Sequence, residues 1–131
     1  MIGSIMDEHL ASGKIPTIIA ARPGVTRQAL QTMLALVPEI EIVGIAGGGL
    51  SALNLARTFP PTLLIMDAGL PEDEIVALLR CAKQELCQAR CLVLTETSRQ
   101  QQVVLAAGAD AVLLRGEPLE RIREKLAEIG L

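Results

Sequence analysis

The stretch TLLIMDAGLP, Thr62 to Pro71, sets four apolar residues in a row, Leu63 to Met66, and then a lone carboxylate, Asp67. The run has no helical spacing and is short enough for a strand covered on both faces. In an open parallel sheet the carboxyl ends of the strands face the crevice where ligands bind, so an acid directly after a buried strand points at the functional edge. Asp67 also has a plainer reading, as the residue that opens the turn AGLP or caps the next helix. The choice between them depends on what the other strands deliver beside it.

On either side of this strand the same alternation recurs. Pro16 to Ala21 (PTIIAA) reads as the first strand, and Leu30, Met33, Leu34 and Val37 then stand at the spacing of an amphipathic helix that Pro38 ends. Ile40 to Ile45 is a second strand, followed by Gly47, Gly48 and Gly49 and a helix from about Ser51 to Thr58 that Pro60 and Pro61 stop. After the strand before Asp67, Pro71 suits a first helical turn, and Glu72, Asp73 and Glu74 put negative charge at its positive end. Ile75, Leu78, Leu79 and Ala82 make the buried stripe of that helix. Cys91 to Leu94 is the fourth strand and delivers Thr95. A helix from Gln100 to Ala107 stops at Gly108, and Ala111 to Leu114 is the fifth strand, delivering Arg115. The last helix runs from Pro118 with Leu119, Ile122, Leu126 and Ile129 inward. Strand-then-helix units joined by short loops predict an α/β three-layer sandwich around a five-stranded parallel sheet.

Composition narrows the function classes. A chain of 131 residues suits one domain, with residues 1–14 read as an N-terminal extension and 15–131 as the domain proper. Half the residues are hydrophobic but only Phe59 is aromatic, so no stacking platform for nucleic acid is present. A formal charge of -3 argues against domain-wide attraction to phosphate backbones or anionic lipid. No apolar run is long enough to cross a bilayer, and the N-terminus lacks the pattern of a secretory signal. Cys81, Cys87 and Cys91 match no zinc spacing and read as reduced, packed thiols of a cytoplasmic protein. His9, the single histidine, has no neighbouring cluster that would make it a metal ligand.

The strands gather Ala21 and Arg22, Asp67, Thr95 and Arg115 at one edge of the sheet. With LLIMD-AGLP, CLVLTE, GADAVLLR and IIAARPGVTRQAL, this set resembles the receiver domain of two-component response regulators over about Ile15 to Leu131. The resemblance implies a flavodoxin-like (βα)5 fold with strand order 2-1-3-4-5. It implies that Asp67 stands at the phospho-acceptor position, served by a histidine kinase and Mg²⁺, and that Thr95 and Arg115 stand at the switch positions contacting the phosphoryl group. It also implies a signalling face made by the fourth helix, fifth strand and fifth helix, which could join two copies.

The sequence departs from that scheme where the chemistry is most demanding. The acidic pair that would hold the metal falls on Ala21 and Arg22, the usual lysine is Arg115, the aromatic switch position is Val112, and the glycine of the third loop is Ile75. Mg²⁺ wants near-octahedral oxygen coordination, which one carboxylate leaves mostly to water. Arginine keeps the charge of lysine but presents a planar fork. The expectation is therefore a degenerate, stand-alone receiver with no catalytic residue and no resident metal or other cofactor. Arg22 and Arg115 would hold Asp67, and the domain would act on a protein partner, a histidine kinase or a downstream signalling protein, with no nucleic acid or membrane involved. Two other readings remain. One is a conventional phosphorylatable regulator, since Asp67 and Thr95 are kept. The other is a small dinucleotide-binding domain, because Gly47-x-Gly49-x-x-Ala52 follows a strand and Asp67 lies where a ribose-binding acid would stand.

Overall fold

The computed structural model describes residues 14–131, along which strands and helices alternate. They are β1 (Ile15–Ala20), α1 (Val25–Ala35), β2 (Ile40–Ala46), α2 (Gly49–Thr58), β3 (Leu63–Asp67), α3 (Glu72–Glu85), β4 (Arg90–Thr95), α4 (Ser98–Ala107), β5 (Ala111–Leu114) and α5 (Leu119–Glu128). All strand pairs are parallel, in the order β2-β1-β3-β4-β5. The expected fold class and strand order are those observed. The extension read over residues 1–14, His9 included, lies outside the described residues except for Lys14.

Side chains alternate between the two faces of a strand, and this divides the core into two clusters. On one face Leu64, Met66, Cys91 and Val93 meet Ala52 and Ala56 of α2, Leu78 and Leu79 of α3, and Val104 of α4. On the other, Leu63, Ile65, Leu92, Leu94 and Leu113 meet Leu30 and Leu34 of α1 and Ile122 and Leu126 of α5. Each fully buried aliphatic side chain stabilises by about 1.5–3 kcal/mol, so the sheet with its two covers is the dominant favourable term. Strands lie about 4.8 Å apart and a helix with side chains is about 10 Å across, so three helices blanket a five-stranded sheet and two scarcely do. The side carrying α1 and α5 is the thinner cover.

Several elements begin earlier than periodicity implies, each because a side chain caps the backbone. The α4 helix starts at Ser98 because Thr97 accepts from the Gln100 amide at 3.1 Å while the Gln100 side chain accepts from the Glu96 amide at 2.7 Å. This is a reciprocal cap of the T-x-x-Q kind, shifted by one residue. The α2 helix starts at Gly49, whose amide donates to the Glu74 carboxylate from α3. Gly108 closes α4 with φ of 116, a left-handed C-terminal cap that glycine adopts without steric cost. The acidic first turn of α3 does more than face a dipole, because Glu72 pairs with Arg99 of α4 at 2.8 Å.

The cysteines are free, but only in part packed: Cys91 is buried, Cys81 half-buried and Cys87 exposed in the turn between α3 and β4. Burial, with Asp110 nearby, pushes the Cys91 thiol up to about 12. Among the described residues no helix is long and apolar enough to cross a membrane.

Candidate functional site

Strand parity decides which side chains meet. Asp67 is two residues beyond Ile65, so its carboxylate stands on the face of α1 and α5, at the uncovered carboxyl end of β3. Arg115 is two residues beyond Leu113 and emerges on the same face. The register carries the two side by side across β4, whose Leu94 aligns with both Asp67 and Leu113. Backbone bonds hold the ends of the strands: the Ala68 amide donates to Leu94 O at 2.9 Å, and the Arg115 amide to Thr95 O at 2.8 Å.

The result is an ion pair, with Arg115 Nη2 donating to Asp67 Oδ1 at 2.5 Å. The Asp67 side chain is 5% exposed and that of Arg115 35%. The other terminal nitrogen of Arg115 donates to the Glu96 carboxylate, so one guanidinium is clamped between two acids. The hydrogen bond to Asp67 is the largest influence on the Arg115 pKa and raises it; burial works against this, and the attraction of Asp67 and Glu96 adds to the rise. Gly69 lies against the pair: a Cβ there would fall 2.8 Å from Asp67 Oδ2, so the loop can pass this closely only as glycine.

Thr95 is fully buried, and its hydroxyl makes a long 3.5 Å bond to Leu113 O. Its parity is that of Cys91 and Val93, which places it on the opposite face from Asp67. Ala21 is buried in the α1 and α5 cluster. Arg22, expected beside Asp67 as a second counter-charge, is exposed and makes no ion pair among the described residues. The reason is positional: it lies beyond the end of β1 in the turn before α1, where nothing turns it inward. Glu96 went unnoticed in the sequence, since its partner is nineteen residues away (|i−j|=19) and only the neighbouring of β4 and β5 joins them.

Oxygen donors are scarce at this edge. The Ala21 carbonyl accepts from Arg27 Nη1 at 3.5 Å, and Asp67 Oδ1 is taken by Arg115. Among the described residues no group of three or more His, Cys, Asp or Glu gathers where it could hold a metal.

The glycine-rich turn has its own occupant. The Glu74 carboxylate sits on the Gly49 amide, where the dinucleotide reading needs a pyrophosphate, and β1 separates β2 from the strand that carries Asp67. In a dinucleotide site the fingerprint opens at the switch point of the sheet, whereas here it follows an edge strand. These features weigh against that reading.

A five-stranded doubly wound sheet with Asp at the end of its central strand and a cation at the end of β5 defines a flavodoxin-like domain of the receiver kind. No protein-family model matches the chain. It is 34% identical over 116 residues to the transcriptional regulatory protein YhcZ of Bacillus subtilis, covering 86% of this chain and 54% of that protein. It is also 32% identical over 102 residues to protein-glutamate methylesterase/protein-glutamine glutaminase 1 of Methanospirillum hungatei, covering 75% of this chain and 30% of that one. The signal receiver domain of the response regulator NarL from Mycobacterium tuberculosis superposes with a TM-score of 0.77 at 20% identity, over 90% of this chain and 98% of that one. The chain belongs to the response-regulator receiver domains of two-component signalling. It spans about half of YhcZ and less than a third of the methylesterase.

Proposed function

We propose that this domain is a degenerate receiver, in which Asp67 is occupied by Arg115 and phosphoryl transfer is disabled, and that it signals through contacts with a protein partner. The observation that carries this reading is the Asp67–Arg115–Glu96 clamp at an edge where Ala21 and Arg22 supply no carboxylate. Phosphoryl transfer needs charge on three equatorial oxygens neutralised by groups aimed at them, and a divalent ion is the main such group. Mg²⁺ would find one carboxylate here, already engaged, so its binding is weak and no step runs through it. Arg115 keeps the positive charge of the family lysine, but its fork is committed to two acids. The partner is a histidine kinase or a downstream signalling protein, and the face of α4, β5 and α5 is where it docks or where two copies join. Leu105 of α4, about half exposed, supports that face.

The retained Asp67 and buried Thr95 support the competing reading, a conventional phosphorylatable regulator. Incubation with Mg²⁺ and acetyl phosphate, followed by intact-protein mass measurement, separates the two. The expected outcome is no Asp67-dependent mass gain, and a stoichiometric gain would overturn the degenerate reading.

A further inference from the structure

Two cavities meet at the clamp. One, of about 310 Å³, opens between α1 and the turn after β5 and is walled by Val25, Ala29, Leu30 and Met33 of α1 and by Leu94, with Asp67 and Arg115 at its end. The second, of about 180 Å³, is lined by Arg22, Gly24 and Gly69 and shares Val25, Thr26, Asp67 and Arg115 with the first. They therefore form one cleft with an apolar end and a polar end. The apolar end is open to ligand: Val25 is 82% exposed and Ala29 is exposed too, although both present hydrocarbon. A helix buries its apolar stripe against something, and on α1 Leu30 and Leu34 fulfil that role, Met33 packs partly against the same cluster, and Val25 and Ala29 extend the stripe past it.

The polar end has a definite sign. Of the charged groups lining the cleft, Asp67 and Arg115 cancel, and Arg22 is left over with no ion-pair partner among the described residues. Glu96 holds Arg115 but lines neither cavity. With Asp67 and Arg115 paired to each other, Arg22 leaves this end of the cleft with a net positive charge, which suits an anion.

We propose that this cleft binds a small amphipathic anion, with a short aliphatic or single-ring body against α1 and a carboxylate or phosphate head at Arg22. The cavity lies at the lower end of the range of small-molecule pockets, and its walls are apolar with a few convergent polar groups at one end, which is the usual build of such a site. A guanidinium recognises carboxylate and phosphate alike through its planar fork. Binding here would lie beside the clamp and tie the domain's partner contacts to a metabolite. The inference builds on the degenerate-receiver reading, because it takes Asp67 as paired with Arg115 rather than with a metal.

The test uses octanoate, octanol and inorganic phosphate as probes, followed by amide chemical shifts of the ¹⁵N-labelled full chain. Octanoate is expected to shift α1 and Gly116 saturably. Arg22→Asp weakens octanoate about tenfold and leaves octanol unchanged, since only the charged head is lost. Ala29→Trp, with Ala29→Leu as a milder filler, removes both at an unchanged thermal midpoint, and Leu50→Ser on α2 alters neither. The idea is overturned by absence of saturation up to about 10 mM, by equal responses of octanoate and octanol to Arg22→Asp, by phosphate alone binding as well as octanoate, or by insensitivity to both fillers. Failure of this test leaves the phosphorylation result untouched, and an Asp67-dependent mass gain sinks the degenerate reading whatever octanoate does.

Discussion

The two faces of the sheet are covered differently. On the side of α2, α3 and α4 neighbouring elements are tied by side chains: Arg57 of α2 to Glu85 of α3, Glu72 of α3 to Arg99 of α4, and Lys83 of α3 to Asp110 before β5. The Gly49 amide and Glu74 add a fourth tie at the top. On the side of α1 and α5 two helices cover the same width, α1 over β1 and β2 and α5 over β4 and β5, and the end of β3 between them stays open. The closed face is built for cohesion. The open face holds, among the described residues, the one buried carboxylate, together with a cavity that reaches it. Close packing and a ligand-accessible acid are incompatible on one face, and the odd number of helices lets the fold keep both.

Equivalent deletions on the two faces break or sharpen that contrast most strongly. Leu79 of α3 is fully buried in the cluster between the sheet and α2, α3 and α4, and Leu79→Ala should cost about 4 kcal/mol, because a cavity there cannot collapse. Leu30 of α1 borders the cleft, so Leu30→Ala should cost only about 2 kcal/mol. Urea unfolding of both variants decides, and equal losses would mean that the open face is as tightly packed as the closed one.

Next in size is the clamp. Arg115→Met leaves Asp67 buried without its counter-charge and should cost about 2 kcal/mol, the low side for a buried pair because Arg115 still reaches water. Adding Asp67→Asn should restore most of the loss, since a neutral amide no longer needs the guanidinium. If the double variant is as unstable as Arg115→Met, the cost arises from lost packing of the long side chain and not from charge.

The smallest effect concerns the turn before α5. Glu117 accepts from the Leu114 amide at 2.9 Å and from Arg121 at 3.0 Å, and these bonds, the amide first, lower its pKa. A depressed folded-state pKa contributes stability that is present above the unfolded value, about 4.3, and is lost as pH falls through the folded one. Unfolding midpoints measured from neutral pH into the acid range should therefore drop less for Glu117→Gln than for the parent chain. Parallel acid profiles would show that Glu117 stands free in solution.

Much of the fold was legible because its signals are local. The run Leu63 to Met66, the helix stripe Ile75, Leu78, Leu79 and Ala82, and the stop at Gly108 each follow from neighbours within one or two turns of chain. Helix starts were less legible where the cap came from elsewhere, as with Glu74 on Gly49. The same divide runs through the site. Asp67 announces itself as an acid after an apolar run, but Arg22 and Arg115 look equally suited to it in the sequence, and only Arg115 reaches it.

Periodicity by itself determined the class of fold and the strand that carries the acid, while the resemblance to receiver domains implied that an acidic pair is missing at Ala21 and Arg22. Tertiary structure alone decided that Arg115 and Glu96 form the clamp, that Arg22 stays outside it, and that a cleft opens beside α1. The physical reason is separation along the chain: Arg115 lies far in sequence from Asp67 (|i−j|=48), and strand order and side-chain parity, not any neighbouring residue, choose which charges meet.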